Sequence, residues 1–502
     1  FAWSSAMYAF VSQPPDPAVV GDRWRDMWLA RLKHYRYPAH IWYGHQRRDA
    51  YWRQGSACED YDAIKCAVFA VGGWEDGYSN AVARLVEKVK APCIGLAGPW
   101  GHAYPHNALP GPAIGFLQEA LRFWDHWLKG RDTGIMKEPK LRAWMNSSHA
   151  PDPCAKERPG RWIGHRDWPA PRITPRDFWL GTRGLEDVRQ PNTQLSILSP
   201  QQTGNMTVEW CSYGGSDGDF PGDQRTDDGC SLCFDSLPLT AALEFFGAPV
   251  LHLAFSVDKP VAKIAVRLND VAPDGASTRI TYTLFSLNHA WDQAQPIALE
   301  PGKVYRARIA LNTIAYALQP GRKLRVAIST ACWPQLWPGP SATTLTVHTA
   351  ESRLELPVRP PHAEDKELRP FDPPEEAAAN PYAITRPGDW HRTVTRDVAT
   401  GAYELVMVKD YGGVRYEDID WRLDCAGLER YRVKPADPLS AEADCTYHHE
   451  LSRGDFVVRS ETRTTLRNDA THFHLTATVD AYENGQRIFS DEETISIPRD
   501  FM

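Results

Sequence analysis

Two short apolar runs, CAVFAVGG and APCIGLAG, each close on a glycine turn that delivers one chemically competent side chain. The first turn, GGWEDGYSN, carries Asp76, and the second, GPWGH, carries His102, 26 residues later. Runs of this length bounded by glycine read as buried strands, and the intervening segment reads as a helix. A strand, an acid loop, a helix, a strand and a histidine loop is how an α/β-hydrolase delivers the last two members of a Ser…Asp…His triad. On spacing alone, the same residues also fit a helix-capping aspartate and a loop histidine.

Around this unit the texture of the chain changes several times. Residues 1–60 read as helical, with Asp16 as N-cap, Pro17 at the first helical position, and Val20, Trp24, Met27, Trp28 and Leu32 at helical spacing. They read equally as a cap over an active site and as a plain packing helix pair. Residues 61–138 hold the strand–helix unit, closed by a helix near Ile114–Lys129 that repeats Leu117, Leu121, Trp124 and Leu128 on one face and stops at Gly130. Residues 139–358 break into short alternating strands (LRAWM, DFWLG, TVEWC, PVLHLAFSV, KIAVRLNDV and others), the pattern of a jelly-roll sandwich. A proline-rich, charged linker spans 359–392, and a further β-rich domain, with an Asn484-Gly485 hairpin turn, spans 393–502. The fold class expected is therefore α/β plus all-β.

Composition excludes more than it assigns. The net charge of −7 is spread along the chain without a basic stripe, which argues against nucleic acid. No run approaches the ~18 apolar residues of a membrane span. Ten dispersed cysteines form no disulfide framework, so a reducing, cytoplasmic compartment is expected. The oligomeric state stays open, a homo-oligomer included.

The words around the two turns narrow the reading. GGWED, GPWGH and RFWDHWLKG, with WPAPRITPRDFWLG, ALEFFGAPVLHLAFSVD and VRLNDVAPDGASTRIT further on, resemble the cocaine esterase and X-Pro dipeptidyl-peptidase (CocE/NonD) family of α/β-hydrolases over roughly residues 1–350. The resemblance implies that Asp76 is the triad acid and His102 the triad base, acting on an ester or amide with no metal or organic cofactor. It also implies a G-x-S-x-x-G-like nucleophile elbow upstream of both, and nothing ahead of Asp76 supplies one: Ser4 and Ser5 lack flanking glycines and an incoming strand. The expectation is a C-terminal portion of a serine hydrolase, inactive alone. Trp74 and Trp100, with the Trp-rich segments around Trp24 and Trp42, are candidate lining for an acyl pocket.

Other candidates rank lower. Ser216 matches G-x-S-x-G literally, but Phe220-Pro221-Gly222 follows where a helix should, and it comes after the acid and the histidine. Cys230-x-x-Cys233 lacks a second ligand pair at zinc spacing. Glu75 and His106 are rivals to Asp76 and His102; Asp125, His126, His448, His449, His472 and His474 read as capping or packing groups. The competing function is a carbohydrate- or ligand-binding jelly-roll module, or a pseudo-enzyme that kept the scaffold.

Overall fold

The computed structural model describes residues 1–206, 209–215 and 218–502. They divide into two compact units, residues 52–336 with 343–377, and residues 1–51 with 337–342 and 378–502. The fold class is α/β plus all-β.

In the first unit, β1 (Val68–Gly73), α1 (Ser79–Lys88) and β2 (Cys93–Gly98) form the start of a long sheet: β1 and β2 pair in parallel, residue for residue, from Val68–Cys93 to Gly73–Gly98. All six residues of β2 are buried, as a parallel strand covered on both faces requires. Val82 and Val86 of α1 pack down on this pair. Helix α2 (Phe116–Lys129) follows, ending at Gly130 in the left-handed conformation, as its sequence predicts. Its packing face is not the expected one. Phe123 and Glu119 turn inward, whereas Leu117, Leu121, Trp124 and Leu128 lie on the exposed side, Leu128 with 74 % of its surface accessible.

The parallel sheet does not stop at the boundary expected near residue 139. Strand β3 (Leu141–Ser147) adds to β2 in parallel, and Ile314–Leu318 adds to β3, so the hydrolase-like sheet runs without a break into the β-sandwich. Among the described residues that sheet has thirteen strands, with β1 at one edge. A four-stranded antiparallel sheet, order Ser277–Ser286, Lys263–Val271, Lys323–Ser329, Leu232–Asp235, forms the second layer. Leu251, Leu253 and Phe255 of the first layer share one core with Ile264, Val266, Leu268, Val326 and Ile328 of the second. The expected TVEWC strand is absent from the described part of that segment: Glu209–Cys211 are irregular, and Thr207 and Val208 lie outside the described residues.

Part of the proline-rich stretch is stitched to this unit. Arg359 is fully buried and donates from Nε to His165 Nε2 at 3.0 Å; Arg142 stacks over Phe371 at 3.8 Å. Because His165 accepts that bond, it must be neutral there. Burial first, and the Arg359 charge second, push its imidazole down to about 4, and burial does the same to His149. An unfolded histidine takes its proton near 6.5, so below that pH the unfolded chain holds more protons than the folded one. The stability these histidines contribute is complete above pH 6.5 and is lost as pH falls towards 4. Thermal midpoints should drop across that window, less steeply in His165→Gln; a flat profile would contradict this.

The second unit holds an eight-stranded antiparallel sheet among the described residues: six long strands, Tyr403–Tyr416 through Gln486–Pro498, follow one another as a meander, and the shorter Tyr382–Arg386 and Asp389–Arg396 both pair with the first of them. Alternating burial along strands such as Asp437–Arg453 marks one covered face. Asn484 and Gly485, both at positive φ, close its last hairpin. The helices of residues 1–51 belong to this unit and do not stand as a separate cap: Ala9 of Ala2–Val11 packs with Cys445 and Tyr447, and Ser5 Oγ accepts from Thr464 Oγ1 at 2.7 Å. Asp16 caps the following helix through Ala18 N–H at 2.8 Å, as expected from sequence. Glu429 is buried in the sheet, where it accepts from Lys409 Nζ (2.9 Å), Tyr431 Oη (2.7 Å) and Tyr447 Oη (2.6 Å).

Candidate active site

Because β1 and β2 are parallel neighbours in register, the loops that leave them emerge side by side. Two backbone bonds tie the loops together: Trp74 N–H donates to Gly98 O at 2.9 Å and Glu75 N–H to Trp100 O at 3.0 Å. This close approach needs glycine at position 73, where a Cβ would overlap the backbone carbonyl of Trp100. Backbone cannot rotate away as a side chain can. Gly73→Ala should therefore lower the unfolding free energy by about 1–3 kcal/mol and pull the two loops apart; unaltered stability in urea denaturation would refute that.

Asp76 stands in the turn entering α1. One carboxylate oxygen accepts Tyr78 N–H at 3.0 Å, holding the side chain, and the other meets His102 Nδ1 at 3.0 Å. An ionised carboxylate only accepts, so the proton of this bond sits on Nδ1 and the lone pair of the neutral imidazole sits on Nε2. The Asp76 side chain is 12 % accessible and that of His102 39 %, so the acid is shielded while the imidazole is part-exposed. Tyr78 and Tyr213 flank the ring, with centroids at 5.6 and 5.2 Å. The histidine backbone is pinned by its N–H to Ser212 O at 2.6 Å. That partner loop is itself held by Asp219, whose carboxylate gathers the N–H groups of Tyr213, Gly214 and Gly215.

The rival residues face elsewhere. Glu75 points to Arg158 (3.6 Å) and Arg279 (3.7 Å), and His106 stacks against Tyr104 and Phe116. Ser212 lies beside His102 in the fold, though far from it in the sequence, but its hydroxyl donates to Asp219 O at 2.7 Å. Ser4 and Ser5 are occupied with Tyr37 in the other unit, and Ser216 lies outside the described residues. The expected tryptophan lining needs correction. Trp100 is 1 % accessible, its indole N–H bonded to Pro112 O at 3.0 Å, because its ring fills the space against Gly98 and Trp162. Trp74 borders a narrow cleft with Asp76, Trp210, Arg279 and Tyr282, but its indole N–H is committed to Trp144 O at 2.7 Å.

One neighbour had no signal in the sequence. Cys211 brings its sulfur to the dyad, and the donor atoms of Asp76, His102 and Cys211 lie within 4.8 Å of one another. Burial, then the charge of Asp76, push its thiol up to about 11.

The family model of the X-Pro dipeptidyl-peptidase (S15 family) matches residues 1–104, and that of the X-Pro dipeptidyl-peptidase C-terminal non-catalytic domain matches residues 133–370. A candidate serine esterase of Mycobacterium bovis is 28 % identical over 352 residues, covering 62 % of this chain and 52 % of its own. The cocaine esterase of a Rhodococcus strain is 23 % identical over 318 residues, covering 58 % and 53 %. The chain thus spans about half the length of the curated relatives it matches. Among solved structures, an aminopeptidase from a marine sediment thaumarchaeote superposes with a TM-score of 0.54 at 18 % identity, over 66 % of this chain and 62 % of that one. An α-amino acid ester hydrolase gives 0.52 at 18 %, over the same shares, so the likeness in both cases is one of fold. The chain belongs to the cocaine esterase and X-Pro dipeptidyl-peptidase (CocE/NonD) family.

Proposed function

We propose that these residues form the acid-and-base half of a serine hydrolase of ester or amide bonds, and that the nucleophile is carried by polypeptide ahead of Phe1. The observation that carries the reading is the Asp76–His102 bond, which commits Nδ1 to the carboxylate and leaves Nε2 as the acceptor nitrogen of a part-exposed ring. In the proposed reaction Nε2 takes the proton of the serine hydroxyl as its oxygen attacks the carbonyl carbon. Asp76 holds the tautomer and stabilises the imidazolium, which then returns the proton to the leaving alcohol or amine. A second attack by water, activated by the same nitrogen, releases the acid product. Oxyanion donors belong with the nucleophile elbow.

Two surfaces favour a missing neighbour. Strand β1, VFAVGG, is apolar yet has only β2 as a sheet partner among the described residues, leaving a row of backbone donors and acceptors open. The α2 face of Leu117, Leu121, Trp124 and Leu128 is likewise uncovered. Further parallel strands and their helices would cover both. The test is the coding sequence ahead of Phe1: the reading expects an open frame encoding a strand, a G-x-S-x-x-G elbow and a helix, and a frame whose elbow carries no serine would overturn it.

A further inference from the structure

Asp76, His102 and Cys211 come from three separate loops, which is why no ligand spacing is visible in the sequence. A carboxylate oxygen, an imidazole nitrogen and a sulfur within 4.8 Å of one another are a donor set suited to a borderline-soft divalent cation. We propose that these three side chains form a binding site for a zinc-class cation, and that its occupation switches the dyad off. In a tetrahedral site with bonds of roughly 2.0–2.3 Å, donors sit about 3.3–3.7 Å apart, so donors already within 4.8 Å of one another reach that spacing by a small adjustment of their loops. Three protein donors leave the fourth position for water. Cys211 gives its thiol proton to solvent on binding, and the cation supplies the charge that a half-buried thiolate beside Asp76 otherwise lacks.

The consequence for catalysis follows from imidazole chemistry. Nδ1 is the nitrogen that faces Asp76, so a cation shared with that carboxylate binds there. It displaces the hydrogen bond to Asp76, the ring proton moves to Nε2, and His102 no longer accepts a proton at that atom. The binding site rests on the geometry alone; only the switching rests on the hydrolase reading.

Binding can be measured on the 502-residue chain without any activity. Cadmium serves as probe, because a cadmium–thiolate bond gives a charge-transfer band in the ultraviolet. Titration of the reduced, metal-free chain should show one tight equivalent, weakened at least tenfold in each of Cys211→Ser, His102→Ala and Asp76→Asn. It should persist in a Cys58→Ser, Cys66→Ser, Cys154→Ser variant, which removes the exposed thiols. Zinc should displace the cadmium band, and circular dichroism should show each variant folded. Persistence of the tight equivalent in Cys211→Ser would overturn the site. So would its loss in Cys211→Ser with wild-type affinity in both other variants, the behaviour of a lone thiol. If binding is as expected but zinc leaves the native gene product's hydrolase activity unchanged, the site stands and the switching role is refuted.

Discussion

Replacing His102 by alanine in the native gene product should lower kcat/KM for an activated ester by about 10^5- to 10^6-fold, and Asp76→Asn by about 10^4-fold. The inequality comes from the division of labour at the 3.0 Å bond. Without the imidazole no group takes the serine proton. With asparagine the ring remains, but an amide can stabilise neither the correct tautomer nor the imidazolium. Because the two residues act as one device, the double variant should be no slower than His102→Ala. Steady-state kinetics on a nitrophenyl ester would check this. Losses below a hundredfold for His102→Ala, or additive losses in the double variant, would contradict the assignment.

The largest expected effect on stability lies away from the site. Asp228 is buried against the face of the four-stranded sheet turned away from the shared core, and accepts from Arg267 Nη2 (3.0 Å), Asn269 Nδ2 (3.0 Å), Ser277 Oγ (2.7 Å) and Arg325 Nη1 (3.0 Å). Arg267 is 1 % accessible, so its charge depends on this carboxylate and on Asp227 at 3.7 Å. Asp228→Ala strands a buried guanidinium and should cost about 3–5 kcal/mol. Removing the exposed Lys303–Glu300 pair should cost no more than about 1 kcal/mol. Urea denaturation of the two variants side by side gives the comparison, and equal losses would refute the argument.

What the sequence made legible was local. The glycine turns after two apolar runs located Asp76 and His102, because a parallel strand pair in register puts consecutive loops together by geometry alone. The Asp16 cap, the Gly130 stop and the Asn484-Gly485 hairpin are likewise settled within a few residues. What it hid depends on distant partners. The period of α2 was readable, but an apolar stripe does not say what covers it, and here the stripe faces outward. TVEWC has strand-like composition, yet around Cys211 the loop is shaped by the Asp219 carboxylate gathering backbone N–H groups. The grouping of residues 1–51 with the C-terminal sheet rests on bonds such as Arg453 to Asp16, at 3.0 Å across 437 positions. Trp100 looked like pocket lining because aromatic content carries no direction; its ring turns inward over Gly98.

The most direct test of the central claim is labelling of the native gene product with a fluorophosphonate, which traps an activated serine, followed by peptide mapping. The account predicts one labelled serine on a G-x-S-x-x-G elbow ahead of Phe1, with labelling abolished in His102→Ala. A labelled serine within residues 1–502, or labelling indifferent to His102, would contradict it.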